Sequence, residues 1–141
     1  MRDTLTTAFF ICAVSPTFAA DQSKKYICEQ EIGRAYLREN GSWQDLGPQE
    51  NKGILLRALR SSERAPGTTW GVFSPGADNT PQLRCRESHV VLDCGYPGHS
   101  ISINLESGRY VSALFSITKT ENVMAMSGGS CREMPNTNTV R

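Results

Sequence analysis

SISINLESGRYVSALFSI, residues 100–117, decides the fold of this chain. Ile101, Ile103 and Leu105 alternate with Ser100, Ser102 and Asn104, and after Glu106-Ser107-Gly108-Arg109 the alternation resumes with Val111, Ala113, Phe115 and Ile117. A period of two gives a strand one buried and one wet face. Two such runs about a Gly-containing turn predict an antiparallel hairpin, which serves as the template for the molecule.

Working outward, the chain offers similar segments at short intervals. Residues 26–38 read as a long first strand, with Tyr26, Cys28, Ile32 and Tyr36 on one parity and Ile27, Ala35 and Leu37 on the other. Gly33 sits between the two patterns and marks an expected bulge that swaps faces. Asn40-Gly41 is a strong two-residue hairpin signal, returning the chain into residues 43–46. Residues 54–59, ILLRAL, suit a strand better than a short helix, because a Gly-Pro loop and a Pro-Gly turn bound them. Further strands are expected at 68–73, at 83–86 and 90–94 about a turn at Glu87-Ser88-His89, and at 122–127, where Gly128-Gly129 loosens the end. Residues 74–81, SPGADNTP, are loop.

About eight strands joined by short links predict an all-β, up-and-down antiparallel barrel, with a two-sheet β-sandwich as the alternative. Residues 20–134 form that domain, and residues 135–141 are expected to be a disordered tail.

The first 19 residues read as a secretory signal. LTTAFFICAV, residues 5–14, is its apolar core, and Thr17 and Ala19 are the small residues before the cut. Cys12 lies inside it. The run is too short to span a bilayer. A periplasmic or secreted address follows, and the chain is expected to be a monomer with no membrane span.

Four cysteines remain after cleavage: Cys28, Cys85, Cys94 and Cys131. In a small exported chain an even count reads as a disulfide framework. Of three pairings, Cys28–Cys131 with Cys85–Cys94 is favoured. The first ties the first strand to the last, as barrel closure predicts, and the second staples neighbouring strands. Direct opposition of Cys85 and Cys94 would centre the turn on His89-Val90, and valine is a poor turn residue. A zinc site is disfavoured, since there is no CxxC and His89 and His99 stand at no ligand spacing.

The formal net charge is +1, with no basic block, which argues against a nucleic-acid partner. No Gly-x-Ser-x-Gly and no phosphate-cradling glycine loop is present. Glu29 and Glu31 share a strand face, which a wet outer face explains. Neither enzymatic activity nor a cofactor is expected. Trp43, Trp70, Tyr26, Tyr36, Tyr110 and Phe115 could line a pocket, but their number favours a filled core. Binding then falls to loops at one barrel end, residues 74–81 and 106–110. Within the second, Ser107, Gly108, Arg109 and Tyr110 form the candidate binding loop, with a cation and an aromatic suited to a protein partner or a small ligand.

Tyr26-Ile27-Cys28, Cys85 with Cys94, Gly108-Arg109-Tyr110 and Gly129-Ser130-Cys131 together resemble small exported proteobacterial proteins of uncharacterised function. The resemblance covers most of the mature chain and implies a disulfide-stapled barrel. Ser107-Gly108-Arg109-Tyr110 is also similar to the loop that periplasmic inhibitors of C-type lysozyme present to the enzyme's cleft. The acidic, tryptophan-containing stretch expected after that loop is absent, because residues 111–117 run on as strand. The expectation is an exported, non-enzymatic binding or interaction protein of the bacterial envelope. Lysozyme inhibition and a small periplasmic hydrolase are its alternatives.

Overall fold

A computed structural model of the protein describes residues 24–50, 53–117 and 122–135. The signal segment 1–19, the link 118–121 and residues 136–141 of the tail lie outside the described residues.

Nine strands follow in order: β1 (Lys25–Glu39), β2 (Ser42–Pro48), β3 (Ile54–Ala58), β4 (Trp70–Phe73), β5 (Leu83–Ser88), β6 (Val91–Tyr96), β7 (His99–Asn104), β8 (Arg109–Ile117) and β9 (Asn122–Glu133). All pairings are antiparallel. Strands β3 to β9 run up and down in sequence order, and β9 returns to pair with β1. Eight strands therefore close a barrel, as the spacing of the segments predicts, and β2 stands outside the ring as a ninth.

Strand β1 explains the extra strand. Its residues 25–28 pair with β3, whereas Arg34 to Glu39 pair on the same edge with β2. Along its other edge β9 follows it from Tyr26↔Glu133 to Arg38↔Asn122. The long ends of β1, β9 and β8, with β2 alongside, rise as a wall beyond one rim of the barrel. Asn40 and Gly41 both take positive φ, 50° and 82°, as a tight return into β2 requires. The face swap expected at Gly33 falls earlier. The register with β9 slips between Gln30 and Ile32, so Glu31 is the extra residue. Ile32 and Tyr36 consequently face outward, while Gly33, Ala35 and Leu37 face inward.

Both disulfides form as favoured, Cys28–Cys131 across the closing seam and Cys85–Cys94 between β5 and β6. Cys85 does lie directly opposite Cys94, and the turn is His89-Val90. Valine is tolerated because His89 alone takes the left-handed conformation, with φ 58°. His89→Gly should therefore raise stability by roughly 0.5–1 kcal/mol, read as a higher urea midpoint at unchanged slope.

The lower barrel is filled. Cys28, Leu56, Trp70, Leu92, Cys94 and Ile103 pack there, and the Tyr26 and Trp70 rings meet at 5.9 Å between centroids. ILLRAL is a strand buried on both faces. Ile54, Leu56 and Ala58 point inward, while Leu55, Leu59 and Phe73 form a second small core outside the ring. Arg57 closes that outer core. Its guanidinium stacks 4.0 Å from the Phe73 centroid and holds Glu63, in the 3₁₀ turn Ser61–Glu63, through two bonds of 2.8 Å.

Three further expectations need correction. Gly128-Gly129 does not end the last strand, which runs on to Glu133. Trp43, Tyr36 and Phe115 are not core residues, because they sit on the wall's outer face. The alternation in β8 is real but inverted: Val111, Ala113, Phe115 and Ile117 point out, and Tyr110, Ser112, Leu114 and Ser116 point in. The turn sets this. Asn104 Oδ1 accepts the Glu106 and Ser107 amides at 3.0 and 2.8 Å, fixing Asn104 opposite Arg109 and Ile103 opposite Tyr110. Cross-strand partners share a face, so inward Ile103 carries Tyr110 in with it.

The start of β1 and the end of β9 meet at the base, away from the wall, where the Met134 amide donates to the Lys25 carbonyl at 2.7 Å.

Candidate functional site

The inversion of β8 puts hydroxyls where a barrel normally keeps aliphatic side chains. Ser112 and Ser127 face each other across β8 and β9 on the inner surface. Tyr110 enters beneath them, 4% exposed, and its hydroxyl is hydrogen-bonded to Ser127. Its ring reaches this position because Gly129 has no side chain. A Cβ there would stand 2.8 Å from the Tyr110 ring and 2.0 Å from the Glu29 carbonyl. Close approach, rather than a strand end, accounts for the glycine.

These groups open into a cavity of about 360 Å³ at the rim below the wall. Its floor is apolar, formed by Ile54, Val72, Leu83 and Ile101. Its polar edge comprises Tyr110, Ser112 and Ser127 on one side, His99 at the start of β7, and Ser74, Gln82 and Glu50 from the rim. Gln82 Nε2 donates to Ser74 Oγ at 2.6 Å, which steadies the rim opposite the wall.

Among the described residues no lysine or arginine lines the cavity. Burial pushes His99 below the usual imidazole range, so the ring is uncharged at neutral pH and offers one donor and one acceptor. Burial likewise raises the Tyr110 phenol, against the opposing effect of its bond to Ser127. Among the described residues Glu50 supplies the one carboxylate of the lining.

The residues expected to bind are divided by this geometry. Of the two loops, residues 74–81 place only Ser74 and Pro75 at the cavity rim, Asp78 turning away to Arg57 and Lys25 on the outside, whereas the turn carrying Ser107 and Gly108 lies at the base, the opposite end of the barrel. Ser107 Oγ accepts the Arg109 amide at 3.4 Å, and the Gly108 carbonyl accepts the Cys131 amide at 2.6 Å. Arg109 reaches across β9 to Glu31 with two bonds of 2.9 and 2.8 Å. Bonds from Ser130 and Arg109 together hold the Glu31 carboxyl below its ordinary range. Tyr110 is not a surface aromatic at a hairpin tip, because it points into the barrel. Glu29 and Glu31 each face their own arginine, Glu29 meeting Arg132 at 3.4 Å, and do not form a carboxylate pair.

Sequence reasoning missed Ser112, Ser127 and Gln82. Serines at alternate strand positions read as a wet outer face, and only the register of the turn shows that they point in. Among the described residues no three His, Cys, Asp or Glu side chains converge to hold a metal, and no helix is long and apolar enough to cross a membrane. Two disulfides accord with an oxidising, extracellular type of compartment. Set against known proteins, the chain matches no family model, no curated protein and no solved structure.

Proposed function

We propose that the protein is an exported, non-enzymatic binding protein that takes a small ligand, apolar on one face and hydroxyl- or amide-bearing on its edge, into the mouth of the barrel. The observation that carries this reading is the convergence of the Tyr110, Ser112 and Ser127 hydroxyls with His99 and Gln82 over an aliphatic floor in one cavity of about 360 Å³. Such a site orients a ligand through a few placed polar groups and holds it by apolar contact.

Binding is favoured over hydrolysis by what surrounds the serines. Among the described residues no hydrogen bond joins His99 to Ser112 or Ser127, and no carboxylate orients the imidazole. A hydroxyl nucleophile is activated through such a chain of contacts.

The test is a thermal-shift and native mass-spectrometry screen of neutral polyols, sugars and N-acyl amides. A ligand should bind at one-to-one ratio. Tyr110→Phe and Ser127→Ala should each weaken it about 3- to 10-fold, the loss of one neutral hydrogen bond in a closed site. A ligand indifferent to both substitutions, or ester turnover abolished by His99→Ala, would overturn the proposal. Inhibition of C-type lysozyme that is lost on changing Ser107 or Arg109 would move the function to the base of the barrel.

A further inference from the structure

The outer face of the wall is the counterpart of the cavity. The same inversion that turns Ser112 and Ser127 inward turns the apolar positions of β8 out. On this face Ile117 is 85% exposed, Ile32 70%, Val111 64%, Met126 57%, Trp43 51% and Phe115 50%.

These residues are contiguous. Val111 lies opposite Gly128, which lies opposite Ile32, and Phe115 lies opposite Met124. The outer faces of the other strands differ. Those of β5, β6 and β7 carry Arg84, Arg86, Asp93, Ser100 and Ser102, and the apolar positions of β3 and β4 are covered by the chain's own outer core.

We propose that two copies of the chain pair through the outer face of β1, β9 and β8. Area is the first argument. The six side chains expose on the order of 700–800 Å², which is what one partner buries in a standard-size interface. It also exceeds the largest apolar patch of most monomers.

Shape is the second. A broad antiparallel sheet face packs on another such face at about 10 Å, with side chains interleaved. Gly128 leaves a trough for interleaving: a Cβ there would lie 3.7 Å from Ile32 Cγ2 and 3.9 Å from Val111 Cγ1.

Charge is the third. Arg34, opposite Met126 within the face, is matched by Asp45, and Arg109 at its edge by Glu31, while Arg38 lies beside Trp43. With Arg34 and Arg109 neutralised inside each chain, the face meets its own copy with little repulsion. Two-fold pairing uses one patch twice, so the face needs no other partner.

Sedimentation equilibrium of the purified protein over the micromolar range tests this. A monomer–dimer equilibrium is expected. Val111→Glu and Met126→Arg, both at solvent-facing positions, should each weaken it about 30-fold or more, the scale of an interface hot spot. Circular dichroism, and melting at a concentration where the wild type is monomeric, should stay unchanged. If either variant misfolds, Ile117→Lys replaces it at the most exposed position of the face.

Four results would overturn the proposal. The first is a wild-type protein that is monomeric throughout. The second is a dimer that survives all the substitutions. The third is a dimer lost when residues 1–19 are removed, which would assign the face to that segment. The last is a monomer that floats with phosphatidylcholine–phosphatidylglycerol vesicles, which would assign it to lipid.

Discussion

Replacing Cys28 and Cys131 together by alanine should cost about 4–5 kcal/mol, whereas the same change at Cys85 and Cys94 should cost roughly 2–3 kcal/mol. The two bridges differ in the length of chain that they tie together. The first spans 103 residues in sequence and the second spans 9. A cross-link restricts the unfolded chain more when the loop is longer. The native positions do not offset this difference, since Cys28 and Cys85 are both wholly buried in the same core.

The Cys28–Cys131 bond also lies on the β1–β9 seam, the pairing that joins the two ends of the sheet. Without it, closure rests on the ladder alone. A domain of this size commonly has only about 5–15 kcal/mol of net stability. The seam variant should therefore melt far below the hairpin variant. Paired urea titrations check the order, and equal costs would show that loop length does not govern these bridges.

Glu63→Gln should cost about 3 kcal/mol or more, the scale of a buried ion pair that loses one partner. Arg57 is 5% exposed, and Glu63 meets it with both carboxylate oxygens. The remaining contacts of the guanidinium are the carbonyls of Ala58 and Asp78, at 2.9 and 2.5 Å, and a distant Asp78 carboxylate at 4.0 Å. None of these replaces a paired carboxylate. Removing both charges at once, as Arg57→Met with Glu63→Leu, should cost less than the single change, because no charge is left stranded.

The same pair fixes a pH dependence. The bonds from Arg57 hold the Glu63 carboxyl at about 2, against an ordinary 4.5. The folded value lies below the unfolded one. The contribution is therefore complete above about pH 4.5 and is lost as pH falls towards 2. After solvent screening it amounts to on the order of 1–2 kcal/mol. It is smaller than the cost of the substitution because both oxygens of a protonated Glu63 still accept, whereas glutamine turns an NH2 donor towards Arg57 or the Arg60 amide. Wild-type stability should decline over that acid window, and the part of the decline due to Glu63 should vanish in Glu63→Gln.

Much of the barrel is legible in the sequence. Asn40-Gly41, the alternation in residues 100–105 and the four cysteines Cys28, Cys85, Cys94 and Cys131 determine a hairpin, a strand and a closure by chemistry local to each. The candidate site is less so. Alternation in residues 110–117 separates two faces, but only the register at Asn104–Arg109 decides which one enters the barrel. Ser112 and Ser127 therefore read as solvated although they line the cavity, and Phe115 reads as core although it stands outside. The bulge at Glu31 is hidden for a related reason. Glycine advertises backbone freedom, whereas Glu31 is held by Arg109 and Ser130, which are remote in sequence. Arg57 gives no local sign of burial, since its partners arrive from the 3₁₀ turn and the rim loop.

Lys25 and Met134 lie side by side at the end of the molecule remote from its opening. A tether joined at Lys25 or Met134, whether to an affinity matrix, a sensor chip or a cell-surface scaffold, would thus leave from that end and present the opening outward. Protein immobilised in this way should keep its cavity accessible, and a fluorophore joined there would report rotation of the whole body without shading the entrance.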